Sequence, residues 1–169
     1  MKKTIKDDKG LSMLLDSEIL KIEKKYNELS LLHEEMIKNP NTQTLGYKGL
    51  MEENINREDY HHAFIYGEKL FQLNPFIDKL YVTLVSIIAK TRNWNQLIHV
   101  SKQAYNKKII DIKTYNQNVS IAYYEISKIK IKSEPKESIN VILKAIKLNG
   151  PFPPFIKLYL EILMTQNEI

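Results

Sequence analysis

The chain has 169 residues, 43% of them hydrophobic, so it can bury a sizeable core without outside help. It has no cysteine, which excludes disulfide bonds and thiolate metal sites. The net charge is +5 and nearly all basic residues are lysines. Because Ile, Asn and Tyr are also abundant, we interpret the charge as AT-rich coding bias rather than as a phosphate-binding surface.

The first residues predict neither export nor membrane insertion. The segment MKKTIKDDKG at residues 1–10 is polar, and Asp16 and Glu18 interrupt the apolar stretch that follows it. The longest apolar stretch, LYVTLVSIIA at residues 80–89, is shorter than the ~20 residues that a spanning helix needs. We therefore expect one soluble domain over residues 1–169, with no direct membrane span.

Apolar residues recur at helical spacing along the chain, and polar breaks divide the pattern into helix pairs. Two of the predicted helices end in similar segments, LFQLNP at residues 70–75 and AIKLNGP at residues 145–151. Because Pro75 disfavours the helical conformation at Asn74, the first of these helices must end there. In the last pair, Ser133 is predicted to cap the second helix, with Pro135 in its first turn.

The breaks repeat with a period of about 34 residues. Tyr60 and Trp94 are one such period apart, and each opens the second helix of a pair. Two helices in each period of this length are typical of tetratricopeptide repeats, although the consensus letters are degenerate here. The sequence thus predicts an all-α, tetratricopeptide-like α-solenoid of antiparallel helix pairs, with about three to four repeats and a C-terminal helix. The units run over about 9–40, 42–75, 76–109 and 111–150, and the closing helix over 152–166.

The opening segment leaves two alternatives. Residues 11–38 can form a single long helix, or a helix pair that turns near residues 19–23. We prefer the pair, because the segment ends in Asn-Pro at Pro40, close to one repeat length before the equivalent Pro75.

Several blocks resemble HemY-like proteins of α-proteobacteria. They include LGYKGL at residues 45–50 and the turn KLNGPFPPF at residues 147–155, and the resemblance covers residues 41–163. It implies a non-enzymatic tetratricopeptide scaffold associated with late haem biosynthesis and anchored in the inner membrane. Because this sequence shows no signal peptide or spanning segment, we expect it in the cytoplasm or peripheral to the inner membrane. Family members carry a hydrophobic N-terminal anchor that this sequence lacks, so a vestigial fragment of a longer membrane-anchored protein is an alternative.

The histidines predict no metal site. His61 and His62 point about 100° apart on a helix, so they cannot share a metal ion. Glu58 and His62 are four residues apart, but two ligands make a poor site. His33 and His99 look isolated. We predict no enzyme and no cofactor; the alternative is an accessory domain that binds haem or a metal through His62 or His99.

The remaining motifs also favour structural roles. The acidic pairs Glu34–Glu35, Glu52–Glu53 and Glu58–Asp59 are predicted to be solvated helix surface rather than acid–base groups. Gly46 and Gly49 are predicted to permit close helix packing.

The best candidate site is a groove lined by the first helix of each repeat. Its lysines favour a protein partner, through an acidic or C-terminal peptide segment. Nucleic acid is not predicted, because the basic residues do not form a dense face with stacking aromatics. The predicted groove residues are Lys48, Glu52, Lys79, Ser86, Lys90, Lys113, Asn116 and Tyr123.

Overall fold

The computed structural model describes residues 9–167, and all regular secondary structure within this range is helical, which confirms the predicted all-α class. Most of the polar opening segment, residues 1–8, lies outside the described residues, as do the last two residues of the predicted domain. The helices are α1 (Lys9–Ile22), α2 (Tyr26–Met36), α3 (Gln43–Asn56), α4 (Tyr60–Leu73), α5 (Leu80–Thr91), α6 (Trp94–Asn106), α7 (Ile112–Lys130), α8 (Pro135–Asn149) and α9 (Pro153–Asn167).

The helices belong to two compact units, residues 9–91 with α1 to α5 and residues 92–167 with α6 to α9. Within each unit, helices that follow one another in the chain pack together. Leu70, Phe71 and Leu84 are fully buried in the first unit. The second unit has a core cluster formed by Ile142, Ala145, Phe155, Leu158 and Ile162.

The opening segment is a helix pair, as preferred from the sequence. Helix α1 ends at Ile22 and α2 begins at Tyr26, so residues 23–25 form the turn. The turn begins at the last residue of the predicted range 19–23 and extends two residues beyond it.

One type of turn precedes α2, α4 and α6. A residue with positive φ (58°, 58° and 53°) is followed by an N-cap residue with φ between −82° and −87° and ψ between 66° and 76°. An aromatic residue then begins each helix. Each position recurs every 34 residues: the positive-φ residues are Lys24, Glu58 and Arg92, the N-caps are Lys25, Asp59 and Asn93, and the aromatics are Tyr26, Tyr60 and Trp94. The three turns are therefore 34 residues apart and share one backbone conformation.

Helix α8 departs from this spacing. It begins at Pro135, about two helical turns later than one repeat length after Trp94. The extra length lies in the preceding α7, which has 19 residues, and two whole turns return that helix to nearly the same face. Pro135 occupies the first turn as predicted, but the predicted Ser133 cap is wrong: Glu134 is the N-cap and its side chain makes no capping bond.

The two similar helix endings work by different means. Helix α4 ends at Leu73, and Asn74 before Pro75 takes a non-helical conformation (φ −145°, ψ 87°), as predicted. Helix α8 includes Asn149 and ends at Gly150, whose φ is 81°. Glycine adopts this conformation without steric cost, so the second ending depends on Gly150 rather than on the proline after it.

Candidate functional site

The predicted groove residues are divided between the two units. In the first unit, Lys48 and Glu52 are exposed on α3, with 3.9 Å between Lys48 Nζ and Glu52 Oε1. Ser86 and Lys90 are exposed on α5. Lys79 is exposed but lies one residue before α5 with φ 58°, so it is not part of a helix as the repeat count had placed it.

Two of the predicted groove residues, Lys90 and Tyr123, take part in a contact between a lysine and an aromatic ring. In the first unit, Lys90 Nζ lies 6.0 Å from the centre of the Tyr60 ring. In the second unit, Tyr123 is half-buried and Lys144 Nζ lies 5.9 Å from the centre of its ring. Such contacts are weak at exposed sites, so neither of them holds its lysine head firmly. The other two second-unit positions, both on α7, are the exposed Lys113 and the half-buried Asn116.

His62 and His99 are exposed and have local partners. His62 Nδ1 lies 2.7 Å from Oδ2 of Asp59, the N-cap of α4, rather than beside Glu58. His99 Nε2 lies 2.7 Å from Gln103 Nε2, one turn along α6. Within residues 9–167, no three His, Asp or Glu side chains converge in a way that could hold a metal ion.

His33 is not isolated, so that expectation was wrong. Only 3% of His33 is exposed, and its ring joins side chains from two other helices. Its Nε2 lies 3.2 Å from the hydroxyl of Ser17 on α1, and its Nδ1 lies 2.5 Å from Oε1 of Glu53 on α3. A buried polar network therefore connects the first three helices through Ser17, His33 and Glu53.

Glu53 also differs from the prediction for its acidic pair. Glu52 is solvated, but the Glu53 side chain is only 11% exposed. Burial raises the pKa of Glu53, but hydrogen bonds from His33 and Ser30, with the charges of His33 and Arg57, outweigh it and hold that pKa below its usual value. The Glu53 carboxylate is thus the ionised acceptor of the network at neutral pH.

Gly46 and Gly49 permit close packing between α2 and α3, as predicted. A Cβ atom on Gly49 would overlap the imidazole ring of His33. A Cβ atom on Gly46 would lie 2.8 Å from the backbone oxygen of His33 and 2.9 Å from the backbone nitrogen of Ile37. At Gly46 the obstacle is backbone, which cannot move aside cheaply, and at Gly49 it is the buried His33 ring, which would have to leave its hydrogen bonds with Ser17 and Glu53.

The network has the Ser–His–carboxylate order of a hydrolase triad but not its accessibility. In a triad, the serine oxygen must reach the substrate and the acid orients the histidine. Ser17 is 4% exposed and His33 is 3% exposed, so no substrate reaches the serine oxygen. The network fixes the positions of three helices. Its members are 16 and 20 residues apart in the chain, and the glycines that face His33 were the available signal for it.

A cleft of about 460 Å³ lies on the solvent side of Glu53. It is lined by Tyr26, Asn27, Glu53, Asn56 and Arg57. Arg57 Nη2 lies 3.9 Å from Glu53 Oε2, so the two charges in the cleft compensate one another. The cleft therefore offers polar groups but no net charge to a ligand.

Helix α1 has an apolar face that no described residue covers. Four large side chains are exposed: Leu11 by 51%, Leu15 by 58%, Ile19 by 50% and Ile22 by 80%. At about 100° per residue they lie within about 80° of one another, opposite the buried face of α1. We call these four residues the α1 stripe. Sequence analysis did not separate it from core positions, although α1 is apolar on two faces.

An open groove of about 410 Å³ lies between α1 and α2, next to the α1 stripe. Its apolar wall consists of Ile19, Leu20, Leu31 and Leu32. Three carboxylates also line it: Asp16, Glu28 and Glu35. We call this feature the α1–α2 groove; Ile19 belongs both to it and to the stripe.

The two units carry charge of opposite sign. Residues 9–91 contain 10 Lys and Arg against 12 Asp and Glu, a net charge of −2. Residues 92–167 contain 12 against 5, a net charge of +7. The total of +5 hides this asymmetry, which a count for each half of the sequence reveals.

No protein-family model matches the chain, and no curated protein matches it. Among the helices that the structure describes, none is both long enough and apolar enough to cross a membrane.

Proposed function

We propose that the chain is a non-enzymatic protein-interaction scaffold built from tetratricopeptide-like helical repeats. The observation that carries the proposal is the turn that recurs every 34 residues before α2, α4 and α6, with the same backbone conformation and an aromatic residue after it. A helix pair of this length cannot cover its own apolar face, so repeats of it stack into an array. Arrays of this kind bind partner proteins along their surfaces.

The arrangement of the polar side chains supports a role in binding better than a role in catalysis. The one arrangement with catalytic order among the described residues, Ser17–His33–Glu53, is closed to substrate. The exposed side chains offer instead an apolar stripe, an acidic groove and separate lysines. Large exposed apolar patches mark interaction sites in soluble proteins. The HemY-like relationship, the link to haem biosynthesis and a place at the inner membrane periphery remain parts of this proposal that rest on the sequence resemblance.

The lysines of the predicted groove allow a direct test of the proposal. The full chain, immobilised as bait, is used to capture proteins from a lysate of its source organism, and captured proteins are quantified by mass spectrometry. The variant K48A/K79A/K113A removes three exposed cations of the predicted groove. The matched control K69A/K102A/K147A removes three exposed lysines elsewhere.

A partner that the wild type and the control retain, and that the groove variant loses, supports the scaffold and its acidic partner. Capture equal to that of an unrelated helical bait contradicts the scaffold function. If both triple variants still capture the partner, the lysines of the predicted groove are not its binding site.

A further inference from the structure

We propose that the α1–α2 groove binds one amphipathic helix of a partner protein, a helix whose apolar stripe is flanked by lysine or arginine. This inference rests on the proposed role in protein binding, and it adds the site and the chemistry of the partner. The lysines of the predicted repeat groove, which favour an acidic peptide, do not line the α1–α2 groove.

The shape of the surface fits a helix. The groove follows two helices of 14 and 11 residues that pack side by side. On α2, its residues Glu28, Leu31, Leu32 and Glu35 have i, i+3, i+4 and i+7 spacing, so they form one face. A third helix that lies along such a groove buries one face of its own, with the same spacing, against the wall.

The apolar contacts are available without rearrangement. Leu31 is 66% exposed and Ile19 is 50% exposed, so both gain burial when a helix binds. Ile19 also leads from the groove to Leu15 and Ile22 on the α1 stripe, which are 58% and 80% exposed. Burial of apolar side chains of this size supplies most of the favourable free energy of association.

The charge of the groove selects the partner. Asp16 and Glu28 form no salt bridge with any residue in the described part of the chain, and Glu35 pairs only with Lys9, at 2.9 Å. Lys9 and Glu35 have side chains that are 71% and 53% exposed, and pairs so exposed are weak. A basic helix places its cations beside three carboxylates, whereas an acidic helix would place like charges together.

The test uses two probe peptides and the full-length protein. One is a fluorescein-labelled peptide of about 14 residues, four helical turns of leucine and lysine in amphipathic spacing; its twin has glutamate in place of every lysine. Fluorescence anisotropy measures their affinities for the wild type at low and high salt. The chain as a whole is +5 but residues 9–91 carry −2, so a preference for the lysine peptide reports an acidic surface of the first unit, and variants are needed to assign it to the groove.

Variants locate the binding. D16K/E28K reverses two groove carboxylates, and we expect it to weaken binding of the lysine peptide about tenfold or more. E23K/E34K is the matched control, since it changes the net charge by the same amount at two exposed residues that do not line the groove; we expect less than a twofold change. L31S tests the apolar wall separately and should also weaken binding. Circular dichroism verifies that each variant retains its helices, and L31S serves as the charge-independent test if D16K/E28K unfolds.

Three results would overturn the inference: equal affinity for both peptides, equal loss in E23K/E34K and D16K/E28K, or a wild-type dimer that D16K/E28K or L31S converts to a monomer. The last result, measured by light scattering, would show that a second copy covers the groove. Failure of the peptide test leaves the capture result for the lysines of the predicted groove unchanged. Failure of that capture experiment leaves peptide binding at the groove measurable, so the two proposals fail separately.

Discussion

Each unit connects neighbouring helices through buried polar side chains, but the two connections differ in chemistry. In the first unit, His33 bridges Ser17 and Glu53, and the carboxylate is ionised. In the second unit, Ser127 on α7 and Ser138 on α8 bond only to one another's hydroxyl and backbone groups. One connection depends on charge and the other does not.

The serine pair is compact and fully satisfied. Both residues are 0% exposed. The Ser127 hydroxyl donates to the Ser138 backbone oxygen at 2.9 Å, and the Ser138 hydroxyl donates to the Ser127 backbone oxygen at 2.8 Å. Small neutral groups of this kind cost little to bury when they are paired. The histidine network instead buries a charged group, so losing one partner leaves a larger penalty behind.

The largest effect is expected from His33→Ala. The substitution leaves Ser17 and the Glu53 carboxylate without their shared partner and opens a cavity between three helices. Removing one partner of a buried pair costs about 3–5 kcal/mol. Urea unfolding followed by circular dichroism measures the loss. The control His61→Ala changes an exposed histidine and should cost less than about 0.5 kcal/mol. A loss for His33→Ala no larger than that of the control would refute a stabilising role for the network.

A smaller effect is expected in the second unit from Ser138→Ala. It removes the bond to the Ser127 backbone oxygen and the contact between the two hydroxyls, while the Ser127 hydroxyl still donates to the backbone oxygen of residue 138, so we expect a cost of about 0.5–1.5 kcal/mol. The double variant S127A/S138A removes both hydroxyls, and because these also contact one another at 2.9 Å, its loss should be smaller than the sum of the two single losses. Unfolding free energies of the two singles and the double form a double-mutant cycle. Additive losses would show that the two hydroxyls do not act as a pair.

The helices and their ends were predictable because their signals are local. Pro75 ends α4 through its effect on the residue before it, and the spacing of Tyr60 and Trp94 by one repeat length locates two helix starts. The opening helix pair followed from the same spacing. The wrong Ser133 cap is a local error, since α8 begins one residue later than the capping pattern suggested.

The site residues were less predictable because they depend on contacts between distant parts of the chain. His33 and Glu53 belong to different helices, and no periodicity in either helix indicates that the two meet. Gly46 and Gly49 did indicate a close approach, but not which residue fills the space above them. The α1 stripe was hidden for another reason: apolar periodicity predicts a buried face, and α1 has one buried and one exposed apolar face.

The pH dependence of stability separates the two connections further. Because the pKa of Glu53 in the folded protein is below its ordinary value of 4.5, its contribution is complete above that value and is lost as the pH falls through the folded pKa. The stability difference between the wild type and E53Q should therefore shrink as the pH is lowered from about 5 to about 3. The difference between the wild type and S127A/S138A should stay constant, since serine does not titrate. Other carboxylates titrate in every variant and cancel from these differences. A constant difference for E53Q would contradict the ionised carboxylate.

The smallest effect concerns a feature that both units share. Glu58 in the first unit and Lys108 in the second have φ of 58° and 59°, and each follows a helix whose last carbonyls accept paired bonds from the turn. A left-handed conformation costs a non-glycine residue roughly 1–2 kcal/mol, which glycine avoids. Glycine in turn lowers the stability by roughly 0.5–1 kcal/mol, because it loses more conformational entropy on folding. Glu58→Gly and Lys108→Gly should therefore each raise the free energy of unfolding by up to about 1 kcal/mol. Lys69→Gly, inside α4, should instead lower it by about 1 kcal/mol.

If Glu58→Gly and Lys108→Gly raise the free energy of unfolding equally, the turns contribute alike in the two units. The different losses caused by His33→Ala and Ser138→Ala then come from the buried contacts. A loss at either turn would show that the side chain of Glu58 or Lys108 makes a contact worth more than the strain of its backbone.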